Sequence, residues 1–165
     1  MDIVIREGAA ADLEAVHAMN QAARPAVGDE TPETLAAIVE MAAYFRVAER
    51  DGRLVGFLIG LTPEADYESM NFQWFRRHYD SFAYVDRIVI AEEARGSGLG
   101  RRFYEDFEEF ARGRAPIVTC EVNTRPRNHV SLSFHSALGF TAVGTQETAG
   151  GAKSVVMLSK PVTPG

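Results

Sequence analysis

The sequence predicts a mixed α/β fold: a mostly antiparallel sheet of about seven strands flanked by about four helices. Three observations carry this. Short β-rich apolar runs and helix-period stretches follow one another in the order βααβββαβαββ. One strand–helix–strand unit, Tyr84–Ile90, Gly98–Arg112 and Ile117–Asn123, makes its two strands parallel, because such a crossover returns in the same direction. Asp51-Gly52 and Gly150-Gly151 are turn signals between antiparallel neighbours. With 165 residues, no repeat and no linker-like stretch, the chain reads as one domain, 1–165, large enough for a substantial core.

Asp2–Arg6 reads as the first strand and Ala10–Ala23 as the first helix, with Leu13, Val16 and Ala23 facing inward. Thr31-Pro32-Glu33 starts the second helix, combining an N-cap hydroxyl, a proline at the first helical position and an acid in the first turn. Leu35, Ile38, Val39 and Ala42 share its inner face. Phe45–Glu49 and Leu54–Leu61 form a hairpin, and Tyr84–Ile90 is the fourth strand. Leu99, Phe103, Phe107 and Phe110 set a helix period over Gly98–Arg112. Ile117–Asn123 is a strand. A helix follows from about Asn128 to Leu138, with Val130, Phe134 and Leu138 expected in the core and Gly139 as its C-cap. Thr141–Glu147 and Ser154–Ser159 close the chain. The segment Thr62–Ser81 is too long for a hairpin loop, and long ordered loops tend to be functional. It holds Phe72, Trp74, Phe75 and His78, so it is expected either as a lid that binds the acceptor or as an aromatic cluster packed on the sheet.

The most informative stretch is Tyr84–Gly100. A strand runs through an acidic turn into Arg95-Gly96-Ser97-Gly98-Leu99-Gly100 and then into a helix. Glycines let backbone amides approach phosphate oxygens, and a helix start offers unpaired donors and the positive end of a dipole. This is a pyrophosphate cradle. It is not a P-loop, because the only lysines are Lys153 and Lys160. It is not a dinucleotide fingerprint either, since the third glycine would fall on Arg101.

Two patterns identify the cradle further. Arg95, Gly98 and Gly100 form Arg-x-x-Gly-x-Gly. Downstream, Glu121-Val122-Asn123 is followed by Asn128, Ser131, His135 and Gly139-Phe140 at fixed spacing. Together these resemble the GNAT family, the acetyl-CoA-dependent N-acetyltransferases, with His135 standing where the family usually has Tyr. The resemblance implies a GNAT-like sheet in which strands four and five are parallel and splay apart. It implies acetyl-CoA as cosubstrate, held by the backbone of Ile88, Val89 and Ile90 and by Arg95, Gly96, Ser97, Gly98, Leu99, Gly100 and Arg101, with Asn128, Ser131 and His135 lining the same site. An amide near Ile90 would polarise the thioester carbonyl, which is oxyanion-hole logic. The implied reaction is direct acetyl transfer to a primary amine of a small molecule or peptide. A CoA-binding regulatory module without turnover and a transferase using another acyl-CoA are the competing functions.

Direct transfer needs a neutral amine and favours a protonated leaving thiol. Asn128, Ser131 and His135 share one helix face, and an imidazolium at His135 could protonate the thiolate. A structural, hydrogen-bonded His near the helix end is the competing role. Asp86 is the first candidate for the base, a charge inside an apolar run; a salt bridge with Arg87 is its competing role. Tyr84, Asp86 and Ile88 share one strand face if the strand is regular. Glu121 is the second candidate, and Tyr84 an alternative proton source. Cys120 alternates with Val118 and Val122, which places it toward the core and against a ping-pong nucleophile.

Composition bounds the partners. The net charge is −6 and there is no basic block, which argues against a nucleic-acid binder. Cys120 is the only cysteine, and the charged start, Met-Asp-Ile-Val-Ile-Arg, has no signal-like apolar region, so a cytoplasmic location without membrane contact is expected. No Cys/His/Asp spacing suggests a metal. The sequence leaves monomer and homodimer both open.

Overall fold

The computed structural model describes residues 2–164. Its elements are β1 (Val4–Glu7), α1 (Leu13–Ala22), α2 (Pro32–Met41), β2 (Tyr44–Arg50), β3 (Arg53–Leu61), α3 (Met70–His78), β4 (Ala83–Ile90), α4 (Leu99–Ala111), β5 (Ile117–Arg125), α5 (His129–Leu138), β6 (Thr141–Thr148) and β7 (Lys153–Pro161). Seven strands pair in the order β1-β2-β3-β4-β5-β7-β6. All neighbours are antiparallel except β4 and β5.

The expected order holds, with one addition. The segment 62–81 contains α3, started by Ser69, whose Oγ accepts from the Phe72 amide, and ended by Arg76, Arg77 and His78 at the negative end of the helix dipole. Phe72 and Phe75, three residues apart, turn inward and are fully buried.

Helices cover both faces. On one, Leu99, Phe103, Tyr104 and Phe107 of α4 and Leu138 of α5 pack on Leu58, Val85, Val118 and Cys120. On the other, Val16 of α1, Leu35 and Ile38 of α2 and the aromatics of α3 pack on Phe57, Ile59, Tyr84 and Met157. Each fully buried Phe contributes about 1.5–3 kcal/mol of transfer free energy. The Trp74 indole lies against Gly144 of β6, where any side chain would collide with it. Val130, expected in the core, is 82% exposed. The inward face of α5 runs through Ser131, Phe134, His135 and Leu138, so position 130 falls one step outside it.

Two irregularities shape the centre of the sheet. First, β4 and β5 pair only at Ala83–Val118 and Tyr84–Thr119, then diverge. The later residues of β4 therefore keep β3 on one side and have no strand on the other. Second, β3 pairs Ile59 with Arg87 but Gly60 with Val85, so Asp86 is the extra residue of a bulge. The bulge breaks the alternation. Tyr84 packs with the α1–α3 face and Ile88 with the α4–α5 face, so the expected sharing of one face by Tyr84, Asp86 and Ile88 does not hold.

Candidate active site

The end of β4 turns through Glu92–Ala94 into the glycine loop. Gly96 and Gly98 have φ of 80° and 82°, which only glycine adopts without strain, and nothing lies within 4 Å of where their Cβ atoms would be. Gly98 is the N-cap of α4 and has no side chain to cap it; the Leu99 amide donates to Ser97 Oγ at 3.4 Å. The room left at Gly96 and Gly98, beside the start of a helix, is what an anion site requires. Arg95 and Arg101 stand exposed beside it. Gly100 is present for another reason: a Cβ there would sit 2.9 Å from the Phe134 ring, so it sets the close approach of α4 to α5. Leu99 is buried and anchors the helix, offering the site its backbone only. Beside the loop, a cavity of about 740 Å³ opens between α1 and the end of β4, lined by Ala15, Met19, Leu54, Val89, Ile90 and Arg95.

The splay has two chemically different faces. On the α1–α3 face, Tyr84 Oη donates to Glu121 Oε1 at 2.6 Å. Burial pushes the Glu121 carboxyl up to about 8; the Asp86 charge adds to this, while the Tyr84 bond and the Arg87 charge oppose it. Burial also holds Tyr84 well above the ordinary phenol range. Asp86 is placed differently. Its Oδ1 accepts from Tyr67 Oη at 2.7 Å and its Oδ2 from Arg87 Nε at 2.6 Å, and its side chain is 4% exposed. Both oxygens are committed. Asn71 of α3 also reaches Glu121 and accepts from Gln146 of β6, so α3 and β6 wall this face.

On the α4–α5 face, His135 is buried at 4% exposure. Its Nδ1 donates to the Ser131 carbonyl at 2.8 Å, and its Nε2 accepts from Tyr104 Oη at 2.6 Å. Tyr104, Phe134 and Phe140 meet the imidazole edge-on. Burial lowers its pKa, with the Ser131 bond opposing, so the ring is neutral at pH 7. Cys120 lies on this same face, and burial pushes its thiol well above the ordinary range.

The "Acetyltransferase (GNAT) family" model matches residues 13–140. The chain belongs to the GNAT family. No curated protein matches it. Solved structures share the GNAT fold: Ard1 from Thermoplasma volcanium with TM-score 0.80 at 19% identity, over 99% of each chain. NAA60 from Arabidopsis thaliana, in complex with a bisubstrate analogue, gives 0.77 at 16% identity over 99% of this chain and 100% of its own. A ribosomal-protein-alanine N-acetyltransferase from Brucella melitensis gives 0.72 at 24% identity over 96% and 99%.

In this GNAT protein the fold gathers Tyr84, Asp86 and Glu121 at the mouth of the splay and sets the cradle at its far end. It does not bring His135 to that mouth with a free nitrogen. Asn128 caps α5, its Oδ1 accepting from the Ser131 amide at 3.1 Å. Of the two forms expected for the aromatic segment, the packed cluster is the one present. Phe72 and Phe75 are buried against Phe82 and Tyr84, and Trp74 against Phe75 and Gly144. His78 is exposed, stacked on Trp74 with ring centroids 3.8 Å apart. The residues of this segment that do face the carboxylates are Tyr67 and Asn71, which had no role assigned from sequence, nor had Tyr104 and Asn20; the Asp86–Arg87 pair, expected as the competing role of Asp86, is present. A sequence signal existed for Tyr104, since it is the one aromatic with a polar tip in the α4 apolar stripe. Among the described residues no buried side-chain polar atom lacks a hydrogen-bond partner, and no helix is long and apolar enough to cross a membrane.

Proposed function

We propose that the protein is an N-acetyltransferase that moves the acetyl group of acetyl-CoA directly to a primary amine of a small molecule or peptide, with Glu121 as general base. The observation that carries this is Glu121 at the mouth of the β4–β5 splay with its carboxyl poised near pH 8. A base is most useful when its pKa lies near the working pH. Glu121 takes one proton from the incoming ammonium, the amine nitrogen attacks the thioester carbon, the nitrogen loses its second proton to solvent, and the C–S bond breaks with its electron pair leaving on sulfur. Tyr84 orients the carboxylate and, with its raised pKa, keeps its own proton.

The cradle of Gly96, Gly98 and the first turn of α4, with Arg95 and Arg101, fits the pyrophosphate. The unpaired edge of β4 through Ile88, Val89 and Ile90 fits the amides of the pantetheine arm. His135 is neutral and both its nitrogens are engaged, so it serves the packing of α4 on α5. The departing thiolate, with a pKa of about 8.5, needs little acid assistance and takes its proton from solvent. The name of the Brucella neighbour supports a peptide amine as one acceptor class.

The test is steady-state CoA release over a panel of amines and N-terminal peptides. The rate should show a rising limb centred near pH 8 that is independent of the amine's own pKa and vanishes in Glu121→Gln. Tight acetyl-CoA binding with no turnover on any amine would favour a CoA-binding module.

A further inference from the structure

The segment 23–31 joins α1 to α2 without helix or strand, yet it is tied to both splayed strands. On the β5 side, Asn123 Nδ2 donates to the Pro25 carbonyl at 3.0 Å. Asn123 is two residues from Glu121 and so shares its face. On the β4 side, Arg87 donates to Glu30 Oε1 at 3.1 Å. From α1, Asn20 donates to the Gly28 carbonyl at 2.9 Å and Gln21 Oε1 accepts from the Glu30 amide at 3.1 Å. The segment therefore crosses from one diverging strand to the other on the face that carries Glu121.

Arg87 is the hub of these ties. Its side chain is 6% exposed and every arm of its guanidinium is used: Nε on Asp86, one terminal nitrogen on Asn20 Oδ1 at 2.9 Å, the other on Glu30. It reaches them because the bulge turns Asp86 and Arg87 to the same face. One guanidinium thus serves two carboxylates, while no ion pair among the described residues includes Glu121.

We propose that Arg87 is the positioning residue of the acceptor site: its fork fixes segment 23–31 across the splay and neutralises Asp86, leaving Glu121 as the carboxylate free to take a proton. This rests on the reading of Glu121 as base and extends it to the acceptor side. The groups facing Glu121 are Tyr84, Asp86 and Arg87 from β4 and Tyr67 and Asn71 from the α3 region; across the sheet, Tyr104 of α4 and the neighbouring Cys120 feel its charge. Arg87 is the only cation among them.

The experiment compares Glu30→Gln, Arg87→Met and the neutral double Asp86→Asn/Arg87→Met in the full chain. It reads acceptor KM, acetyl-CoA KM, the pH of the rising limb, and backbone amide exchange over 23–31. Glu30→Gln removes one charged tether at a partly exposed position. It should raise acceptor KM about fivefold, the scale of one charge-assisted hydrogen bond, and speed exchange in 23–31 while sparing acetyl-CoA KM. Arg87→Met should raise acceptor KM about tenfold or more and move the limb up by about one pH unit, because Asp86 then stands unbalanced beside Glu121. The double variant should return the limb and leave the KM defect. Where Arg87→Met fails to fold, Glu30→Gln and the double variant decide. Unchanged acceptor KM and unchanged exchange in folded variants, with only a lower Tm, would overturn the proposal. Loss of the limb's link to Glu121, with the KM and exchange effects intact, would instead remove Glu121 as base and keep Arg87 as the loop's anchor.

Discussion

The two faces of the β4–β5 splay bury polar groups to a similar depth and treat them in opposite ways. Beneath α4 and α5, Tyr104 and His135 are both neutral, and each satisfies the other at 2.6 Å. Beneath α1–α3, three carboxylates and one guanidinium gather, and the pairing of Arg87 with Asp86 and Glu30 leaves Glu121 with only neutral donors. Burial acts on Glu121 and His135 with opposite sign: it favours the protonated carboxyl of Glu121 and the unprotonated ring of His135, so the same desolvation lifts one group toward the working pH and drops the other below it.

The largest expected effect tests the charged face. Glu121→Gln is isosteric and should lower kcat/KM by about 10²-fold or more, within the range for loss of a general base, with acetyl-CoA affinity held. A near-normal rate measured at pH 8 would erase the distinction between the faces. The neutral face should respond in stability and not in rate. His135→Ala strands the Tyr104 hydroxyl and opens a cavity, so thermal or denaturant unfolding should show a loss of about 1–3 kcal/mol, with kcat changed by less than about threefold. A larger fall in kcat, with the pH profile altered, would restore His135 as proton donor. Gly98→Val sits on neither face. Its strained φ disturbs the cradle, and calorimetry should show about a tenfold loss of acetyl-CoA affinity, about 1.4 kcal/mol, with the acceptor KM unchanged.

The smallest effect sharpens the contrast without any substrate. The carboxyl of Glu121 is raised from the ordinary 4.5 to about 8, so the folded chain holds a proton that the unfolded chain has released across that window. Stability from this group is therefore lost as pH rises from about 4.5 to about 8. Glu121→Gln should gain Tm relative to the parent at pH 9 and lose that advantage near pH 4, a differential of a few degrees at most because the cleft is partly solvated.

Much of the scaffold was legible because it is written in local patterns. The Leu99–Phe103–Phe107 period, the Thr31-Pro32 helix start and the glycines before α4 each act over a few residues. The parallel pairing of β4 and β5 followed from the connection between them. What escaped the sequence depends on single-residue phase or on distant partners. The bulge at Asp86 is one extra residue in a run whose apolar character hides it. The α3 helix is too short and too aromatic to declare a period. Arg87 finds Asn20 and Glu30 at separations of 67 and 57 residues, and Tyr104 finds His135 at 31. Two candidate bases could be named from sequence. What the sequence hid is that both oxygens of Asp86 are bonded, to Tyr67 and Arg87, while Glu121 has no cationic partner.

Gly144 constrains where α3 sits. The Trp74 indole occupies the room a side chain would need at that position, and α3 carries Asn71 and, just before it, Tyr67 to the carboxylates. A side chain at position 144 would therefore require the Trp74 indole to move, on the same helix that carries Asn71. The position of a helix on one face of the sheet is thereby tied to a glycine on an edge strand that has no side chain of its own.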